Sequence, residues 1–367
     1  MVRLGIVGFG LMGNNHAKGI FAGKVPGCEL AAVCDTDPKQ LEAIKAEHPS
    51  VKTFTCVTEM LKSGAIDALL ISTPHYDHPS LAIEAFAHKI HVMVEKPAGV
   101  FTKNVREMNA KAAESGVVFG IMYNQRTNPM FRKMREMVAN GELGELKRNS
   151  WLITTWYRPQ AYYDAGGWRA TWKGEGGGVL INQCPHNLDL WQWICGMPKR
   201  VTAFAHNGKW HDIEVEDDVT AYVEYENGAT GVFVTSTADC PGTNRFEIVG
   251  DLGKLVCEGD ELVHYKLEMS EREFNKTNTV MFASPKHERI VIDCPDINKE
   301  NNSQHQATLS AFVNKIITGK GELIANGEEG ISGLTISNAI HLSSWLGKTV
   351  ELPLDEDLFR AELEKKF

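Results

Sequence analysis

One six-residue stretch constrains this chain more than any other. Residues 8–13 read Gly8-Phe9-Gly10-Leu11-Met12-Gly13, directly after the apolar run 3–8 and at the opening of a segment with helical spacing. In that context the first glycine allows a tight turn, the second lets backbone approach a pyrophosphate, and the third lets the helix pack on the strand. The amides at the helix start then face the phosphates. A strand, a glycine turn and a helix in this order begin a doubly wound α/β sheet, so further parallel strands should follow.

The runs 28–34, 68–72, 90–94 and 117–122 are short, rich in Val, Ile and Leu, and nearly unbroken, as strands buried on both faces are. Segments 38–47, 79–88 and 104–115 lie between them with helical spacing. This alternation predicts a Rossmann-type parallel sheet. At about 150 residues per domain the 367 residues make about two domains, the first spanning 1–125. From 126 to 367 the character changes: a helical stretch at 130–140 ends at Gly141, and longer alternating runs follow at 201–206, 220–225 and 229–237. Glu226-Asn227-Gly228 between the last two is a hairpin signal. The expectation is an α+β domain on a mostly antiparallel sheet, with a late helix at 331–345 packing back on the body.

Charge and cysteine use narrow the partners. With 38 Lys+Arg against 47 Asp+Glu the formal charge is -9, and no basic block interrupts the balance. Duplex and anionic-membrane binders need a cationic face, so neither nucleic acid nor membrane is expected as a partner. The eight cysteines, at 28, 34, 56, 184, 195, 240, 257 and 294, form no Cys-x-x-Cys pair and read as scattered reduced thiols. Met1-Val2-Arg3 and the run 4–12 faintly resemble a secretory signal, but Gly5, Gly8 and Gly10 interrupt the run and no cleavage site follows. The expected location is the cytoplasm.

Three loops after strands carry candidate chemistry. Asp35 closes the second strand 22 residues beyond Gly13, where a carboxylate accepts hydrogen bonds from an adenosine ribose and repels a 2′-phosphate. That favours NAD(H) over NADP(H), although Asp35 also sits in a turn-forming sequence, Cys34-Asp35-Thr36-Asp37-Pro38. Ser72-Thr73-Pro74-His75 and Glu95-Lys96-Pro97 follow strands on the same sheet edge. A lysine at a buried strand end must be desolvated or paired, which makes Lys96 a functional candidate. His75 and His78 have the spacing of a metal pair but no third ligand, and no metal is expected.

Taken in order, the Gly8-x-Gly10-x-x-Gly13 turn, Ser72-Thr73-Pro74 with His78, Glu95-Lys96-Pro97 and Gly176-Gly177-Gly178 with His186 resemble the glucose-fructose oxidoreductase / inositol dehydrogenase (Gfo/Idh/MocA) family over nearly the whole chain. The resemblance implies a Rossmann domain, a second domain with a large open sheet that supports a homodimer or homotetramer, and nicotinamide-dependent oxidation or reduction of a sugar, cyclitol or derivative. It implies that Lys96 sits beside the reacting carbinol or carbonyl, where a cation stabilises alkoxide charge. His186 would pass the proton. On the cofactor side it brings Phe9, Leu11, Met12, His75, His78, Glu95, Asn124, Gln125 and the pair Trp168-Arg169, and on the substrate side Arg126 and Tyr162.

The family pattern Asp-x-x-x-His departs here to Asn182-Gln183-Cys184-Pro185-His186. A helix through this segment would put Asn182, His186 and Asp189 on one face. Asn182 cannot titrate, so it either contacts substrate or caps the helix before Pro185. Six Trp, at 151, 156, 168, 172, 191 and 193, crowd 43 residues with Tyr157, Tyr162 and Tyr163. Most read as core, while Arg158 and Arg169 among them could bond hydroxyl or acidic groups. The acidic run 214–218 reads as a solvated loop. Two other functions share the motifs: an NAD-dependent glycoside hydrolase that oxidises a ring carbon transiently, and a non-catalytic NAD-binding sensor.

Overall fold

The computed structural model describes residues 1–294 and 303–367. The chain divides into two compact units, one of Met1–Thr127, Gly174–Gly176 and Ile297–Leu334, the other of Asn128–Lys173, Gly177–Asp296 and Thr335–Phe367.

The first unit is built on six parallel strands: β1 (Val2–Val7), β2 (Cys28–Cys34), β3 (Lys52–Phe54), β4 (Ala68–Ile71), β5 (His91–Val94) and β6 (Phe119–Ile121). Their order is β3-β2-β1-β4-β5-β6, so the winding reverses between β1 and β4, where open α/β sheets bind ligands. Leu4, Ile6 and the whole of β4 have no exposed surface, which is why these strands appear as unbroken apolar runs. The edge strand β3 was not expected. Its three residues, Lys52-Thr53-Phe54, are too few and too polar to show a period.

The division at 125 needs one correction. Helix Ser303–Thr318, assigned from the sequence to the second domain, belongs to the first unit. It buries Leu309, Phe312 and Val313 in one apolar cluster with Val2, Leu4, Ile6 and Ile20, and that burial decides where the segment folds.

The second unit carries nine strands: β7 (Leu146–Ile153), β8 (Arg200–Asn207), β9 (Glu216–Glu224), β10 (Thr230–Ser236), β11 (Asn244–Gly250), β12 (Gly253–Glu258), β13 (Glu261–Leu267), β14 (His287–Ile292) and β15 (Val350–Glu351). They run β14-β13-β12-β11-β7-β10-β9-β8-β15. Among the described residues of this sheet only β7 and β10 pair in parallel, and the helices Gln160–Asp164 and Pro185–Cys195 lie in the long connection this requires. The β9–β10 hairpin forms around 225–229 as its turn residues predict, with Gly228 at φ 83.

One face of this sheet is core. Trp151 stacks on Phe246 at 4.4 Å, and Trp191 on Phe233 at 5.3 Å. On the other face Leu152, Phe204 and Tyr222 are 40%, 65% and 41% exposed. The late helix spans Gly330–Leu346. Among the described residues no helix is long and apolar enough to cross a membrane.

Candidate active site

The glycine turn has the geometry its sequence implies. Gly8 takes φ 83, and a Cβ there would lie 2.6 Å from Ser72 O. A Cβ on Gly13 would meet Gly8 O at 2.2 Å, whereas one on Gly10 would meet nothing within 4 Å. The first and third glycines are therefore required by packing, and the second faces open space where a phosphate can approach. Ser72 Oγ donates to Gly8 O at 2.6 Å and ties the β4 loop to this turn.

Asp35 serves two turns at once. Its Oδ2 accepts from Phe9 N at 2.6 Å and its Oδ1 from Asp37 N at 2.8 Å. Each carboxylate oxygen still has a lone pair free. Asp35 lines a cavity of about 380 Å³ together with Gly8, Thr36, Thr73, Pro74 and Asp77. The Thr73 hydroxyl is buried there without a hydrogen-bond partner among the described residues. A buried polar atom of this kind is costly unless a ligand or water satisfies it, so the cavity suits the polar adenosine half of NAD.

The strand-end loops are locked to one another by histidines. His78, fully buried, places Nδ1 2.7 Å from Pro97 O and Nε2 2.8 Å from Thr73 O. Burial pushes its pKa down against those two carbonyls. With both ring nitrogens taken by backbone, His78 fastens the loops and keeps no ring nitrogen for the cofactor contact expected of it. His75 Nδ1 lies 3.0 Å from Glu175 O. Among the described residues no group of three or more His, Cys, Asp or Glu could hold a metal.

Glu95 also points elsewhere than expected. His16 Nε2 donates to its Oε1 at 2.6 Å, with both side chains buried, and Lys96 N donates to Oε2 at 3.2 Å. Burial alone would raise the Glu95 carboxyl, but the His16 bond and the charges of His16, His305 and Lys96 outweigh it and hold the group down to about 2. A carboxylate thus stays ionised immediately before the half-buried Lys96. His16 and His305 were missed from the sequence. The only signal was a histidine one helical turn past Gly13.

Asn124 is buried, its Nδ2 reaching Gln304 Oε1 at 3.3 Å and its Oδ1 without a partner among the described residues, while Gln125 is half-buried. Arg126 needs correction as a substrate residue. It is 2% exposed, bonds Glu329 Oε1 at 2.9 Å and lies over the Tyr123 ring, so its charge holds the 303–334 segment to this unit.

In the second unit the helix starts at Pro185 with Cys184 as its N-cap. Asn182 therefore neither caps it nor shares a helical face with His186. Its backbone N–H donates to Gly178 O at 3.0 Å within the preceding turn. His186 is buried at 8% exposure and Asp189 at 0%. The expected solvated loop at 214–218 is also corrected, because Glu216 and Asp217 are fully buried. Glu216 accepts from Gly178 N at 2.8 Å and Leu180 N at 3.0 Å, and Asp217 accepts from the amides of Lys209, Trp210 and His211. Buried amides needing an acceptor explain why these acids are inside. Trp151, Trp172 and Trp191 are core, whereas Trp156, Trp168 and Trp193 are half-buried. Tyr162 OH accepts from Arg169 Nη1 at 2.8 Å. All eight cysteines are free, and burial pushes the Cys28, Cys34 and Cys257 thiols up to about 12, far from nucleophilic use.

A reversing parallel sheet, an open second glycine and a carboxylate at the end of β2 define a dinucleotide-binding protein of the Rossmann class. The description "Oxidoreductase family, NAD-binding Rossmann fold" fits residues 2–123, and "GFO/IDH/MocA C-terminal domain" fits residues 131–256. The chain belongs to the Gfo/Idh/MocA family and is an NAD-dependent oxidoreductase. It is 25% identical to the 1,5-anhydro-D-fructose reductase of Ensifer adhaerens over 96% of this chain and 99% of that one. To the D-glucoside 3-dehydrogenase of Escherichia coli it is 27% identical over 88% and 90%. The WlbA dehydrogenase from Bordetella pertussis, solved with NADH and UDP-GlcNAcA, superposes with a TM-score of 0.79 at 26% identity, covering 96% of this chain and 99% of that one.

Proposed function

We propose that this enzyme moves a hydride between NAD and a CH–OH or ketone carbon of a sugar, cyclitol or sugar derivative, with Lys96 and His186 handling the proton. The observation that carries this reading is the anchoring of Lys96. Its loop is tied through His78 to the Thr73 loop that lines the cavity beside Gly8 and Asp35, so the lysine is fixed to the frame that would hold the cofactor. NAD, when bound, accepts or returns the hydride. Lys96 holds positive charge against the substrate oxygen, which stabilises developing alkoxide. His186, in the first turn of its helix, exchanges the proton with the substrate oxygen. Asn182 orients the substrate through hydrogen bonds without titrating.

Further roles follow the resemblance. Gly10, Leu11, Met12, Asp35, Ser72, Thr73, Pro74, His75, Asn124 and Gln125 face the cofactor, Trp168 and Arg169 its nicotinamide half, and Tyr162 the substrate, whereas the Phe9 side chain is buried in the core with Leu4 and Ile6 and offers the cofactor only its backbone. The relatives named as sugar reductases and dehydrogenases support the substrate class. We further assign the open sheet face with Leu152, Phe204 and Tyr222 to a second copy of the chain, and eight free thiols favour a cytoplasmic location. The test is incubation with NAD and a panel of aldoses, ketoses, uronates, inositols and chromogenic glycosides. NADH formation supports the dehydrogenase reading. Aglycone release without net NADH would replace it with NAD-dependent glycoside hydrolysis.

A further inference from the structure

Three successive amides of the second unit end on one residue. Glu216 opens β9 with no exposed surface. Its Oε2 accepts from Gly178 N at 2.8 Å, its Oε1 from Leu180 N at 3.0 Å, and its own carbonyl from Val179 N at 3.0 Å. A Cβ on Gly178 would lie 2.1 Å from Glu216 O, so the glycine is what lets the two backbones come this close. His341 Nε2 stands 3.0 Å from Oε2 but out of line for a hydrogen bond. The amides are thus the main anchors of the carboxylate.

From those amides a single turn leads to the residues assigned to the chemistry. Asn182 N donates to Gly178 O at 3.0 Å, Gln183 N to Val179 O at 3.2 Å and Cys184 N to Val179 O at 2.8 Å. The first N–H groups of such a turn have no earlier carbonyl within it to bond, and the carboxylate satisfies two of them from a different strand. At the far end Cys184 Sγ lies 3.2 Å from Thr235 Oγ1 of β10, and Pro185 and His186 begin the helix. The turn is therefore held at both ends, on two strands that pair with each other. A carboxylate suits this place, since both its oxygens accept, whereas the Nε2 of a glutamine would meet an N–H. With one acceptor lost, a buried amide is left unpaired and the turn must shift to satisfy it.

We infer that Glu216 is a positioning residue for the proton step: by holding the 178–184 turn from β9 it sets where Asn182 and His186 stand against the substrate oxygen. Completely buried, it acts through the turn and not on the substrate. This rests on the reading that His186 passes the proton.

A double-mutant cycle tests it, with kcat and KM taken from NADH formation on the best substrate of the panel for Glu216→Gln, His186→Gln and the pair. Glu216→Gln should lower kcat by about 10–100-fold, as displacement of a catalytic group does, with NAD affinity within about twofold. In the His186→Gln background the same substitution should cost less than about twofold more, because the group it positions is already gone. Full turnover in Glu216→Gln, or an equal fold-loss in both backgrounds, would overturn the inference. Hydrogen exchange gives a readout independent of turnover. The amides of 178–182 should exchange at least about tenfold faster in Glu216→Gln while those of β1 and β4 keep their rates, and unchanged exchange at 178–182 overturns the inference whatever the kinetics. Should Glu216→Gln not fold, Glu216→Asp, which keeps both oxygens and draws them back by one methylene, carries the same measurements. Full turnover in His186→Gln would count against the proton role of His186 alone, and the exchange rates would still decide whether Glu216 holds the turn.

Discussion

Each unit buries one His–Glu pair behind a loop assigned to the active site, and the two are anchored differently. Glu95 is held by His16 at 2.6 Å, its other contact being the Lys96 amide at 3.2 Å. Glu216 lies 3.0 Å from His341 Nε2 but also takes two backbone amides, Gly178 N and Leu180 N. The first carboxylate depends on a side chain 79 residues away in sequence. The second is secured mainly by the segment it supports. Removing the histidine should therefore cost more in the first unit than in the second.

The comparison orders the expected effects. His16→Ala strands a buried carboxylate and should destabilise the protein by about 3–5 kcal/mol in denaturant titration. His341→Ala should cost less, about 2 kcal/mol, because two amides still satisfy Glu216. Equal losses would show that anchoring is not the difference.

Acid titration sharpens the same point. Glu95 is held at about 2 against an ordinary 4.5, so its contribution is fully present above pH 4.5 and is lost as pH falls from 4.5 toward 2. Glu95→Gln should flatten the stability curve in that window. A variant curve parallel to the wild type would contradict the assignment. Smaller still, Asp35→Ala should weaken NAD about tenfold and narrow the preference over NADP, read by fluorescence titration. Least of all, Tyr222→Ala on the open sheet face should change the stability of the isolated chain by no more than about 0.5 kcal/mol, while sedimentation reports whether association is lost.

Legibility followed the same division. The first sheet was readable because strands buried on both faces leave unbroken Val, Ile and Leu runs, and because the glycine turn fixes the chain direction. The hairpin at 225–229 was readable from Asn227-Gly228. Contacts between distant residues were not. Nothing local marks His305 as a neighbour of His16, or Arg126 as the partner of Glu329. Glu216 and Asp217 looked solvated because acidic residues in a row usually are, and only the folded loop supplies the amides that draw them inside. Asn182 misled through its four-residue spacing to His186, since the spacing has meaning only if the helix extends that far, and Pro185 begins it.

The central claim is that Lys96 serves the chemical step and not cofactor binding. It is tested most directly by measuring NADH formation and NAD affinity together for Lys96→Ala on the best substrate of the panel. The account predicts turnover down by about 10³-fold with NAD affinity nearly unchanged. Unaltered turnover with NAD still bound would contradict it.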